Sequence, residues 1–316
     1  MGIKFRLSIM NFLQFFIWGA WLITIANYWF GTMAWGPTEF GAVFLTLGIA
    51  SLFMPTLTGI IADRWINAEK VFAISHIIAG SAVASFPFIK DPHTFFWVML
   101  IAMSFYMPTI ALTNTIAYNA LSKAKLDVVK SFPPIRIWGT IGFIAAMWFV
   151  NLTGNKASVN MFYISAFASL MLGIYSFTLP KCPPQLKEKI EGKSSFVKIF
   201  GLEAFKLFAN YKMAIFFIFS MLLGASLQLT NMYGDRFLDH FKDIPQYANS
   251  AVVKYSTIIM SISQISETLF ILAIPFFLKR FGIKKVMIIS LFAWVLRFGL
   301  FAYGTPDGFG LVLIVV

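Results

Sequence analysis

Long apolar runs separated by short polar loops dominate the chain, and their lengths predict its architecture. Runs of bilayer length fall at about residues 7–30, 38–61, 70–88, 94–121, 134–152, 161–179, 213–234, 253–278 and 285–303, and a tenth begins near Phe309. A helix that crosses a bilayer needs about 20 apolar residues, so nine full transmembrane helices and the start of a tenth are expected. Runs this continuous do not fit a membrane β-barrel, whose strands alternate over about ten residues. Lys4 and Arg6 precede the first run as they would in a secretory signal. The run reaches Phe30, too far for a signal core, and no small-residue cleavage site follows. It is read as the first membrane helix. The stop at Val316 within apolar sequence suggests about three further helices.

Composition agrees with the pattern. The chain is 59% hydrophobic and 12% charged, with a mean hydropathy of +0.79, more apolar surface than a soluble fold of this length can hide. The net charge of +12 could signal nucleic-acid binding, but the distribution of the basic residues argues otherwise. Lys4, Arg6, Arg64, Lys70, Lys123, Lys125, Lys130, the cluster from Lys181 to Lys212, Lys279, Arg280, Lys284 and Lys285 lie at the N-terminus and in alternate loops. The opposite loops carry only Lys90, Lys156, Arg236, Lys242 and Lys254. Cytoplasmic loops concentrate Lys and Arg, so the N-terminus is assigned to the cytoplasm. The expected partner is the lipid bilayer, not nucleic acid. Cys182 is the single cysteine and His76, His93 and His240 are scattered, so neither a disulfide framework nor a metal or other cofactor is expected.

The longest polar stretch, 181–212, opens on Pro183-Pro184 and is rich in Lys and Glu. It follows six spans and reads as a cytoplasmic linker between a first bundle, 1–180, and an incomplete second bundle, 213–316. Two parallel six-helix halves joined in this way describe the major facilitator fold. A weak repeat agrees: Gly59-Ile60-Ile61-Ala62-Asp63-Arg64-Trp65 after the second span, and Pro275-Phe276-Phe277-Leu278-Lys279-Arg280-Phe281 after the eighth. Gly-x-x-x-Asp-Arg in the first of these is similar to that superfamily's cytoplasmic signature. Asp63 and Arg64 are candidates for a conformational latch, or for simple topology and helix-end pairing.

Polar residues inside the spans are the candidate chemistry. Glu267 is the only acidic residue between Lys254 and Lys279; a carboxylate at bilayer depth costs about 2.5–3.5 kcal/mol on insertion scales. Gln264 lies one turn before it, and Gln228 and Asn231 repeat the i, i+3 spacing on the seventh span. Arg136, Thr140 and Phe143 share one face of the fifth, with Pro133-Pro134 expected at its start. Two roles fit Arg136: an anchor snorkelling to the headgroups, or a site residue, since Lys130 already marks the interface. Packing between helices is the competing role for the carboxamides. Gln14, Asn114, Trp18, Trp21, Phe105 and Tyr106 are further polar or flat candidates, and Arg297 is read as structural. Carboxamides present donor and acceptor together, which suits a nucleobase edge but also a hexose. The residues alone define a small polar ligand, sugar-like or nucleoside-like.

The chain resembles the bacterial nucleoside–proton symporters of the major facilitator superfamily over its whole length. The resemblance is carried by Asn11-Phe12-Leu13-Gln14-Phe15, by the stretch from Phe132 to Phe143 (FPPIRIWGTIGF), by Ala214 to Ala225 (AIFFIFSMLLGA) and by Ile259 to Thr268 (IMSISQISET). It implies that Arg136, Thr140, Phe143, Gln228, Asn231, Gln264 and Glu267 match the family's nucleoside-binding positions. It also implies a further aromatic and acidic cluster on a tenth helix, beyond this chain. Purine and pyrimidine nucleosides and protons are then the expected partners, with Glu267 coupling the proton and no obligate protein partner. A sugar or drug carrier of the same superfamily is the rival within transport. An intramembrane enzyme or sensor is the rival outside it, disfavoured because His76 has no carboxylate partner on its helix.

Overall fold

The computed structural model describes residues 2–184 and 202–306 and is helical throughout, with no strand among those residues. The first apolar run does not form one helix. α1 (Ile3–Gly19) ends, and the backbone tightens: Trp21 N bonds Trp18 O at 3.3 Å and Thr24 N bonds Trp21 O at 3.2 Å. The Thr24 hydroxyl turns back on Trp21 O at 3.4 Å, the competition that short hydroxyl side chains offer a helix ladder. Helix resumes as α2 (Ile25–Asn27) and a π-turn, Tyr28–Thr32.

α3 (Pro37–Arg64), α4 (Ala68–Ser85) and α5 (Pro92–Lys123) follow the expected spans. The Asp91 carboxylate caps α5 by accepting from Thr94 N at 2.7 Å, which holds its carboxyl below the usual range. α6 (Val128–Leu152) starts six residues before Pro134. Asp127 caps it through Lys130 N at 3.2 Å, and Pro133 and Pro134 lie exposed in the second turn, where water can satisfy the carbonyls they leave free. α7 (Asn160–Ser176) closes the first group.

A 3-10 segment, Leu202–Ala209, leads to α8 (Tyr211–His240), α9 (Ala251–Lys254) and α10 (Ser256–Tyr303). The eighth and ninth expected spans are the two arms of α10. They meet at a bend on Gly282 (φ 72°, ψ 162°), a conformation that a Cβ would strain. Trp65 ends α3, and Arg280-Phe281 immediately precede this bend, so both basic–aromatic pairs of the sequence repeat mark a helix end or break. Among the described residues six helices are long and apolar enough to cross a membrane: Pro37–Arg64, Ala68–Phe88, Pro92–Lys123, Val128–Leu152, Tyr211–Asp243 and Phe276–Tyr303, with Asn160–Ser176 a shorter apolar one. The first run is lost from this set through its break after Gly19.

Within the first group α1 packs on α6 and α7, α3 on α5, and α4 on α5 and α7. The later helices reach this bundle where α10 meets α6 and α8 meets α2. α1 and α6 approach closely along glycines: a Cβ on Gly142 would lie 2.1 Å from Phe12 O, and one on Gly19 would lie 2.4 Å from Phe143 O.

Of the linker expected at 181–212, residues 185–201 lie outside the described residues. Its first residues are pinned to α4. Ala68 N donates to Cys182 O at 3.0 Å, and the buried Glu69 carboxylate accepts from Cys182 N at 2.7 Å and from Asn67 Nδ2 at 2.9 Å. Cys182 is 4% exposed, and burial, then the Glu69 charge, pushes its thiol up. Thiols react as thiolates, so Cys182 should label slowly at neutral pH and faster only as pH rises. Glu69→Ala removes both the strap and the repelling charge. Labelling of Cys182 by a maleimide at neutral pH should then rise at least about tenfold, read by mass shift against time.

Candidate functional site

α6, which packs on α1 and meets α10, carries Arg136, Thr140 and Phe143. Arg136 is half-buried, its guanidinium carbon 4.0 Å from the centre of the Phe15 ring on α1, a cation–π contact. That position is one side of a packed helix pair. The Gly139 surface makes the position possible, since a Cβ there would lie 2.6 Å from both Arg136 Nη1 and Phe15 Cδ2. Thr140 is half-buried and Phe143 is buried.

Behind Arg136 lies a buried polar network. Gln14 Nε2 donates to Thr109 Oγ1 at 2.8 Å, Gln14 Oε1 lies 2.8 Å from His76 Nε2, and Tyr106 OH donates to Gln14 O at 2.6 Å. Ser169 Oγ lies 3.1 Å from His76 Nδ1. His76 thus finds carboxamide and hydroxyl partners on α1 and α7, which its own helix could not disclose. Gln14 ties α1, α4 and α5 together. Tyr106 and Glu267 both act electrostatically on Arg136.

Glu267 stands on the first arm of α10 and is exposed. The charges of Arg136 and Arg297 act on it. Arg136 forms no direct ion pair among the described residues, so two opposite charges on packed helices face each other with space between. Arg297, expected to be structural, donates to Ser263 Oγ at 3.1 Å and also faces Glu267. Gln264 is half-buried one turn before Glu267. Gln228 and Asn231 are half-buried on α8, which packs on α10. Gln228 Nε2 is buried without a hydrogen-bond partner, an unusual state for a donor. No direct bond joins Gln228 or Asn231 to Arg136 or Glu267. Asp63 is exposed at the end of α3 and Arg64 half-buried; neither has a hydrogen-bond or ion-pair partner among the described residues. Trp18 packs edge-on to Tyr106 at 5.9 Å, while Trp21 is buried in the core. Asn114 and Phe105 are half-buried on α5. No group of His, Cys, Asp and Glu suited to a metal occurs among the described residues.

Sequence reading stopped the seventh span at 234 and so missed Asp235 and Asp239. The signal was present: Gln228, Asn231, Asp235 and Asp239 advance by three, four and four residues, one continuous face of α8.

Membrane-length helices with polar side chains between them describe a polytopic membrane protein. A bacterial homologue of the human lysosomal transporter Spinster, crystallised inward-facing and unoccupied, matches with a TM-score of 0.68 at 13% identity, over 99% of this chain and 71% of that one; this likeness concerns the fold alone. The family model described as Nucleoside H+ symporter matches residues 1–316, and the chain belongs to that family. The nucleoside permease NupG of Escherichia coli (strain K12) is 52% identical over 316 residues, covering 100% of this chain and 75% of that protein. The xanthosine permease of the same organism is 48% identical over the same span and shares. A crystal structure of the nucleoside transporter NupG matches with a TM-score of 0.90 and 52% identity, over 100% of this chain and 77% of that one. These relatives are transporters, not enzymes.

Proposed function

We propose that this chain carries out proton-coupled uptake of nucleosides, purine and pyrimidine, across a bacterial inner membrane by alternating access. Residues 1–180 form one bundle and 213–316 contribute to the other, with 181–212 the cytoplasmic linker and the N-terminus cytoplasmic. In this reading the chain contributes nine transmembrane spans; the tenth span expected near Phe309 lies outside the described residues. The bundles rock about a midplane site. Arg136, Thr140 and Phe143 supply one wall; Gln228, Asn231, Gln264 and Glu267 supply the other. Carboxamides read the base edge, Phe143 offers a flat apolar face, and Arg136 and Glu267 hold sugar hydroxyls. Asp63 and Arg64 act at the cytoplasmic face as the latch between conformations.

The observation that carries this reading is the unclosed pair of Arg136 and Glu267. They sit on α6 and α10, which belong to different bundles, and act on each other without contact. A polar ligand between them bridges the bundles, and a proton on Glu267 removes their attraction, so binding and protonation act on the same junction. The test is uptake of labelled uridine and adenosine by energised cells expressing the protein. Unlabelled nucleosides should compete and free ribose should not; competition by ribose or hexose alone would favour the sugar-carrier reading.

A further inference from the structure

At one end of the molecule the two groups of helices are held together by polar side chains that the nucleoside site does not use. Asp235 on α8 is fully buried. Its Oδ2 accepts from Asn27 Nδ2 on α2, and its Oδ1 accepts from Thr257 Oγ1 on α10 at 2.9 Å. One turn on, Asp239 gathers the cations. Lys156 Nζ lies 2.8 Å away, Lys242 Nζ 2.9 Å and Arg236 Nη1 3.5 Å. Lys156 comes from the loop after α6 and also donates to Val253 O at 2.9 Å and Ser256 Oγ at 3.0 Å. Beside them Phe30 stacks on Tyr233, ring centres 6.5 Å apart.

The two carboxyls are treated differently. Asp239 has three cations within ion-pair distance. Asp235 has none among the described residues; Lys156 and Asp239 act on it only as fields, and Ser256 as a further hydroxyl. A buried carboxylate without an ion pair is costly and is relieved by binding a proton. A second observation points the same way. Asn27 Oδ1 is buried and has no hydrogen-bond partner, although its own Nδ2 already donates to Asp235. A carboxylate only accepts, whereas a carboxylic acid also donates. A proton on Asp235 would give Asn27 Oδ1 the donor it lacks and make a reciprocal acid–amide pair across the junction.

We propose that Asp235 is a proton-binding residue of the outer closure, distinct from the site at Glu267. Closing the outer end transfers one proton from the external solution to the Asp235 carboxylate, and the neutral acid pairs with Asn27 and Thr257. Opening hydrates the group and returns the proton outside. External acidity therefore favours closure after loading, the direction in which a proton-driven importer turns. The proposal rests on the orientation given above, which places this end outside.

The test uses the full chain in liposomes, with Cys182→Ser and a single Phe30→Cys reporter. An impermeant maleimide is added outside while external pH is lowered at constant internal pH. Asp235→Asn keeps the shape and neutrality of the acid and should stay closed. The labelling rate of the Asp235 protein, divided by that of Asp235→Asn at the same pH, cancels the reporter's own titration. This ratio is expected to fall as external pH drops, by up to about tenfold per pH unit, the limit for one linked proton. Asn27→Leu removes the acid's acceptor and should label fast at both ends of the range. A ratio independent of pH, or slow labelling of Asn27→Leu, overturns the proposal and leaves the transport reading intact. Labelling only from the inside overturns it together with the orientation.

Discussion

Membrane vesicles carrying Glu267→Gln are expected to equilibrate nucleoside but not to concentrate it. One elementary charge moved through 100 mV is worth about 2.3 kcal/mol, which supports an accumulation ratio near 50 for one proton per nucleoside. Without a titrating group the ratio should fall toward about 1, whatever the potential. Gln keeps a hydrogen-bonding head of the same size, so exchange of internal for external nucleoside should persist. Accumulation under an imposed proton gradient and exchange at zero gradient are therefore measured on the same vesicles. Normal accumulation with an intact proton dependence would remove Glu267 from the coupling role. Arg136, which faces it, should behave differently: Arg136→Ala loses a charge placed over Phe15 and should depress both readouts.

The second large effect concerns assembly. Gly142→Ala places a methyl 2.1 Å from Phe12 O, and Gly19→Ala places one 2.4 Å from Phe143 O. In both cases the obstacle is backbone, which a rotamer change cannot relieve. Overpacking of this kind costs about 1–3 kcal/mol, and these positions belong at the upper end. Both variants should lower the unfolding midpoint of the detergent-solubilised protein by several degrees. Gly48→Ala and Gly59→Ala serve as controls, since nothing lies within 4 Å of an added Cβ there, and should be neutral or slightly stabilising. Gly19→Ala should also weaken nucleoside binding, because the displaced backbone carries Phe143. Equal midpoints for all four variants would show that α1 and α6 separate at little cost.

Much of the candidate site was legible because helical periodicity is a local property. Arg136, Thr140 and Phe143 fall on one face whatever surrounds α6, as do Gln264 and Glu267 on α10. The meaning of each residue was less accessible. The sequence left Arg136 as an anchor or a site residue and gave no hint of Phe15 and Gly139 packed against it. His76 lacked a partner on its own helix and found Gln14 and Ser169 on two others. The ends of elements were misjudged where polar side chains extend a helix: Asp127 starts α6 before its prolines, and Asp235 to His240 continue α8 beyond the apolar run. The break after Gly19 was invisible in hydropathy, because Trp21, Leu22 and Ile23 are as apolar as a continuing helix would be.

The sequence by itself determined that this is a helical membrane protein, roughly where its apolar runs lie and which polar side chains interrupt them. Those properties follow from transfer of each segment between water and lipid, and from a fixed helical period. Only the tertiary structure decided which interruptions meet. The approach of Arg136 to Glu267, the close packing of α1 on α6 and the grip of Asn27 on Asp235 join residues far apart in the chain. Such juxtapositions depend on how packed helices cross, which no single segment encodes.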